Sequence, residues 1–452
     1  RDDVESRGLG DVYKRQEYGV LFRLLLIICT GFYVGNWKNT RLMFCFFLFA
    51  ASGIGQYYNE ELQIGGVIVP ADLFLCGFLG SWFFFSLRQE IRVKQKTLVI
   101  ALIFIAMLLM GITEMNALGN ILRDVKVFVY FFAAYLYLKD YAKDETLQRY
   151  LFYTLLGMIL FAIGVCGYDF FSYGLQGIET GKIDRTFGLG ISQYGLAIAV
   201  VILSAAIQYI QGVWRKTICY TLICIGILLC IVSYTRSVWL QLIVSLVLYF
   251  IVYFIYAKKS VRQLGRLLIK MLVIVCIMTW IVYKLAAQYP EISNLILDRF
   301  HSININMEFE GNSNTLQYRM QEVNDFVQGK FKSVRVFVGY GFGDMLEGKV
   351  STIAENSFVY YIWKYGAFLS CYLFYLILKK FYTIMRRRTL ISMAVVISTS
   401  VYFFSGGMSG HLNKYYMLPL MAVLLECNIE HIVQAHYKKR DEEEERMTWS
   451  VM

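Results

Sequence analysis

The sequence predicts an all-α polytopic membrane protein of about 12–14 transmembrane helices, with one large extracytoplasmic loop that carries amphipathic helices. Three observations predict it. Apolar residues make up 58% of the 452-residue chain and charged residues 17%, whereas soluble domains run near half and a quarter. The apolar residues fall in long runs, and about 20 helical residues cross a hydrocarbon core. With three prolines and little period-two alternation, helices rather than barrel strands are the spanning element.

The elements follow in chain order. Residues 1–16, RDDVESRGLGDVYKRQ, are polar, lack an initiator Met and stop abruptly at the first apolar run. Their GLGDVYKRQ portion resembles translated linker sequence at the ends of gene fragments, so 1–16 is set aside as non-native and one further span is expected before the visible ones. Residues 17–287 hold ten spans, near 18–36, 42–58, 64–87, 97–115, 122–138, 149–168, 188–210, 217–234, 237–257 and 267–287. Residues 288–356 form the extracytoplasmic loop, 357–433 hold spans near 357–378, 389–405 and 415–433, and 434–452 is a charged cytoplasmic tail.

Basic loops set the orientation. Lys38 and Arg41, Arg88 to Lys96, Lys139 and Lys143, Arg215 and Lys216, Lys258 to Arg266, Lys379 to Arg388, and Lys438 to Arg440 all fall on alternate loops. One assignment makes every one of them cytoplasmic. The formal charge of +11 is therefore a topology signal, and nucleic acid is excluded as a partner. The ten cysteines lie in or beside apolar runs without metal-site spacing, so they read as small hydrophobes with no disulfide framework.

The same assignment places residues 168–188, the long loop and the turn SGGMSGHLNKYY outside. Within the loop, NTLQYRMQEVNDFVQG puts Leu316, Met320, Val323 and Val327 on one helical face, with Asn314 as cap and Gly329 as stop. EISNLILDRFHSI has the same character, and such helices lie on the outer leaflet or roof a cavity.

Charges at membrane depth are expensive, so those on this side are the candidates for chemistry. Arg236, between two nearly contiguous spans, is either a snorkelling anchor or a fixed cation for an anionic headgroup. Arg185 is either a loop arginine paired with Asp184 or a second such cation, and Arg319 lies on the amphipathic helix. A guanidinium binds phosphate through a planar fork of donors, so the three together suit a diphosphate. Glu355 is a candidate general base, or else a helix N-terminal acid capped by Asn356 or Ser357. His411 is a second candidate proton acceptor, and His301 a weaker one. Gly339, Gly341 and Gly343 lack the strand–helix context of a dinucleotide fingerprint and read as a tight turn. Tyr360, Tyr361 and Trp363 are placed either to stack on sugars or to anchor the span at the interface.

Four pieces in order carry a resemblance: RTFGLGISQYGLAIAV, SYTRSVWLQLIVSLVLYF, YRMQEVNDF followed by VGYGFGD, and ENSFVYYIWKYGAF with Asn356 and Gly366 at the expected spacing. Together, over roughly 180–420, they resemble the O-antigen ligase and Wzy-type polysaccharide polymerase family of bacterial inner-membrane glycosyltransferases. Glu355 stands where ligases carry histidine, which tilts the resemblance toward polymerases.

The resemblance implies a GT-C-like fold in the bacterial cytoplasmic membrane with its active site on the extracytoplasmic face. It implies polymerisation of undecaprenyl-diphosphate-linked repeat units into O-antigen, capsule or exopolysaccharide, with lipid-linked oligosaccharide as both donor and acceptor. Catalysis would need no cofactor or metal, in keeping with the lack of an Asp-x-Asp pair in the outer loops. Arg185, Arg236 and Arg319 would hold the diphosphate, Glu355 or His411 would deprotonate the acceptor, and Asn356, Gly339, Gly341 and Tyr360 would support the loop and substrate. Expected partners are membrane lipids and the chain-length regulator and flippase of the same pathway. The alternatives are a ligase acting on a terminal acceptor, a flippase for lipid-linked oligosaccharide, and a non-catalytic scaffold.

Overall fold

The computed structural model describes residues 33–53, 68–88, 95–169, 190–232, 236–257, 280, 284, 323–345, 356–408, 412 and 416–433. These residues are helical, with no β-strand among them. The helices are α1 (Thr40–Leu48), α2 (Pro70–Arg88), α3 (Gln95–Thr113), α4 (Leu118–Tyr141), α5 (Glu145–Asp169), α6 (Gly190–Ala206), α7 (Val213–Val232), α8 (Arg236–Ala257), α9 (Ser357–Met385), α10 (Leu390–Met408) and α11 (Leu418–Glu426).

Stretches of five of them are long and apolar enough to cross a membrane: Glu145–Gly164, Val213–Ile231, Ser237–Tyr256, Ser357–Met385 and Leu390–Met408. Shorter apolar helices cover Thr40–Gly53, Pro70–Ser86, Thr97–Thr113 and Tyr194–Tyr209. This is the make-up of a multi-pass membrane protein. The expected spans near 18–36 and 267–287, apart from residues 33–36, 280 and 284, lie outside the described residues, as do residues 1–16 and the tail 434–452.

In lipid, packing and internal hydrogen bonds, rather than water exclusion, hold helices together. The core is correspondingly rich in rings. Phe44 of α1, Phe78 of α2 and Tyr137 of α4 meet with centroids 4.9–5.3 Å apart, each such pair contributing about 0.5–1.5 kcal/mol beyond its buried area. A second group of helices packs α10 against α6 and α8, with α7 alongside α6. Helix hydroxyls are satisfied locally, as where Ser398 and Ser204 donate to the carbonyls four residues back.

One end of the bundle is polar and basic. There Arg41 forms a two-pronged pair with Asp144 at 2.7 and 2.9 Å, Lys380 meets Glu426 at 2.6 Å, and His431 lies 2.9 Å from Gln148. Asp144 also caps α5, accepting from Leu147 N–H at 2.9 Å. Partial burial pushes the Asp144 carboxyl up, but the Arg41 fork and the capping N–H groups outweigh it and hold the group below its ordinary value. The opposite end carries the segment 323–345.

Candidate functional site

The segment 323–345 is wedged into the bundle, and glycines make this possible. Helix α9 is capped by Asn356, whose Oδ1 accepts from Phe358 N–H at 3.0 Å and Val359 N–H at 3.3 Å. Ten residues into the chain from that cap the helix breaks at Gly366, which adopts φ 79°, ψ 161°. A break in the ladder leaves upstream carbonyls without their usual partners. The loop supplies them: Tyr340 N–H donates to Trp363 O at 3.0 Å and Gly341 N–H to Lys364 O at 3.2 Å. At Gly339 (φ 98°) a Cβ would lie 2.7 Å from Gly366 N, so the two backbones touch only because neither residue has a side chain.

On its other flank the turn meets the α3–α4 hairpin. Phe342 N–H donates to Met107 O at 3.3 Å, and Asn116 Nδ2 donates to Phe342 O at 3.1 Å. The Phe342 ring is fully buried among Phe104, Phe128 and Tyr365, at 5.9–6.3 Å between centroids.

Below this wedge lies a buried charge network. Asp124 of α4 and Lys364 of α9 form an ion pair at 2.8 Å, with no exposed area on either side chain. Asp124 also accepts from Gly343 N–H at 2.7 Å and from Tyr360 Oη at 2.8 Å. The carboxylate thus receives three donors from two chain segments, α9 and the loop. Lys364 spends a further proton on the Asp344 carbonyl, and its Nζ sits 4.1 Å from the Trp363 ring centroid. The Asp344 carboxylate in turn accepts from Lys330 Nζ at 2.9 Å and Trp363 Nε1 at 2.5 Å. Nearby, Lys126 pairs with Asp72 at 2.6 Å, and Tyr130 Oη donates to the same carboxylate at 2.7 Å. Charges this deep persist only when fully paired, and these are.

Several expectations change here. Tyr360 supports the loop but is fully buried with its hydroxyl on Asp124, and Trp363 is equally buried, so neither ring can stack on a sugar. Of the expected apolar face, Leu316 and Met320, like the cap Asn314, lie outside the described residues, while Val323 and Val327 are 37% and 45% exposed and Phe326 is buried. A π turn, Phe326–Lys330, closed by Phe331 N–H to Phe326 O at 2.8 Å, carries the helix past Gly329, the expected stop. Gly339 and Gly341 do form the expected tight turn, and Asn356 is the cap of α9.

Of the remaining candidates, Arg185, Arg319, Glu355, His411 and His301 lie outside the described residues. Arg236 opens α8, and its side chain is likewise outside them. For three of them an adjacent residue is described: Ser237 beside Arg236, Asn356 beside Glu355 and Leu412 beside His411. Ser237, next to Arg236, lies 2.5 Å from Tyr194 Oη, in the second turn of α6. The Tyr194 ring meets Tyr402 of α10 at 5.5 Å. Tyr361, five residues beyond Asn356, donates to Leu412 O at 2.9 Å, beside His411. Phe358 of α9 contacts Phe403 of α10 at 5.7 Å.

Sequence reasoning missed Asp124, Lys126 and Lys364. Their signal was present, since each is a charge inside an expected span. No family model matches the chain, and neither a curated protein nor a solved structure does. Among the described residues no group of His, Cys, Asp and Glu is arranged to hold a metal.

Proposed function

We propose that this protein is a membrane glycosyltransferase that polymerises polyprenyl-diphosphate-linked oligosaccharide repeat units at the extracytoplasmic face, which is the end of the bundle carrying segment 323–345. The observation that supports the reading is the gathering of chain neighbours at that end. Ser237 at the start of α8 meets Tyr194 of α6, whose ring packs on Tyr402 of α10; at the start of α9, Phe358 packs on Phe403, the next residue of α10, and Tyr361 donates to Leu412 O in the turn before α11. Arg236 and Glu355 directly precede Ser237 and Asn356 in the chain, and His411 directly precedes Leu412. Arg319 is four residues upstream of Val323 in the chain.

In this reading the three guanidinium groups balance the charge that grows on the departing diphosphate. Glu355 takes the proton of the acceptor hydroxyl, with His411 as the alternative base. Asn356 fixes where Glu355 enters, and the glycine turn holds the loop that bears Arg319.

The test is elongation by purified protein in liposomes supplied with a polyprenyl-diphosphate oligosaccharide. A ladder of longer glycans, lost in Arg236→Ala and Glu355→Gln at unchanged expression, is expected. A single product on another acceptor identifies a ligase instead. The Asp124–Lys364 pair favours a second reading, a transporter, because intramembrane charges mark ion and substrate pathways. Movement of the lipid-linked glycan across the bilayer without elongation would establish that one.

A further inference from the structure

Away from the loop-bearing end, a cavity of about 460 Å³ lies between α5, α6, α7 and α11. Its wall follows α6 from Gly195 to Ala206, roughly 17 Å of helix at 1.5 Å per residue, and continues past the 3-10 turn Ile207–Tyr209 to Ile210. A hydrocarbon core is only about 30 Å thick, so the cavity runs along most of it. The lining is almost wholly apolar, exemplified by Ile159 and Ala162 of α5, Ala199 of α6 and Leu222 of α7. It opens sideways where the lining residues Tyr153 and Ile218 are 55% and 45% exposed.

Water has nothing to bond to in such a space, and leaving it empty forfeits the packing that holds membrane helices together. Bilayer hydrocarbon is the filler within reach. One charged residue stands in the lining, Arg215, in the first turn of α7 at the basic end. Lys216 follows it, and Trp214 beside it is 76% exposed, the pattern of residues that sit at headgroup level.

We infer that this cavity is a binding site for one anionic glycerophospholipid, an acyl chain lying along α6 and the phosphate at Arg215. The headgroup position at Arg215 lies at the basic end, opposite the proposed catalytic end, and the site does not depend on that assignment. It would act as an integral support for α5, α6, α7 and α11, which enclose it.

The experiment uses the full chain in nanodiscs with a phosphatidylglycerol that carries a mid-chain diazirine. Irradiation is expected to label α5 and α6 peptides of the cavity wall, saturably and in competition with unlabelled phosphatidylglycerol. Ala199→Phe, or Ala162→Leu if the first variant does not elute as a single species, fills the space and should cut that labelling at least about tenfold. Arg215→Gln should keep chain labelling but lose about fivefold in preference for phosphatidylglycerol over phosphatidylcholine, the worth of one cation near a headgroup. Absent or non-saturable labelling in the wild type overturns the site, as does full labelling in a folded, filled variant. Equal competition by an uncharged lipid overturns the assignment of the phosphate.

Discussion

Removing one partner of the Asp124–Lys364 pair should unlock the loop. Lys364→Met keeps most of the side-chain volume and takes away the cation 2.8 Å from Asp124. The carboxylate is then left buried with only Gly343 N–H and Tyr360 Oη to hold it. Breaking a buried pair in this way costs roughly 3–5 kcal/mol. Asp124→Asn should cost less, since the amide keeps an acceptor for Gly343 and Tyr360. Combining the two changes leaves no unpaired charge, so the double variant should be more stable than Lys364→Met alone, with a coupling of up to about 3 kcal/mol. The assay is SDS-titrated unfolding in mixed micelles, paired with protease cleavage within 323–345 as a direct readout of loop release. If Lys364→Met lies within about 1 kcal/mol of wild type, or the double variant shows no coupling, the pair does not secure the wedge.

Further outcomes can be checked alongside. Gly366→Ala and Gly339→Ala should each expose 323–345 to protease while leaving the spans folded, because an added Cβ forces apart backbones already in contact and a φ near 79–98° costs an L-residue about 1–2 kcal/mol before any clash. Asp144 has a lowered pKa, so its contribution to stability is present above its unfolded value of about 3.9 and is lost as pH falls through the lower folded value. The difference in unfolding midpoint between wild type and Asp144→Asn should therefore be flat above about pH 5 and shrink below about pH 4. Tyr361→Phe strips the Leu412 carbonyl of its donor and should reduce glycan elongation more than it reduces thermal stability, measured on the same preparation.

The helical elements were legible in the sequence because apolar run length reports directly on a bilayer. The described helices fall within a few residues of their expected spans, from α2 at 70–88 to α10 at 390–408. What escaped was everything that depends on two segments meeting. Lys364 sits inside YYIWKYG and Asp124 inside LRDVKVF, and each alone looks like an anomaly in a span. Only the fold shows that they cancel. Likewise the spacing from Asn356 marked Gly366, but only the loop glycines packed against it show why a glycine stands there. Nor does Gly329 stop its helix as expected, since a π turn, Phe326–Lys330, runs through it. The arginine candidates were chosen by side of membrane, a coarser criterion than contact.

The cap of α9 offers the sharpest link between this architecture and the proposed chemistry. Asn356 is 7% exposed, with its side chain accepting from Phe358 and Val359 N–H, which fixes the start of α9 one residue after Glu355 in the chain. A helix N-terminus presents partial positive charge, which favours the ionised form of a neighbouring carboxylate. If Glu355 is the base, its basicity depends on this helix start. Asn356→Ala removes the cap at a cost of about 0.5–2 kcal/mol in stability, and elongation should fall by far more than the same loss produces at the Asn39 cap of α1. Asn356→Asp is the informative partner, because it retains the cap yet sets a second negative charge beside Glu355. Like charges raise each other's pKa, so the acid limb of the pH–rate profile should move upward while stability at neutral pH is kept. A profile unmoved by Asn356→Asp, in protein that still elongates glycan, would remove Glu355 from the role of base and leave His411 to fill it.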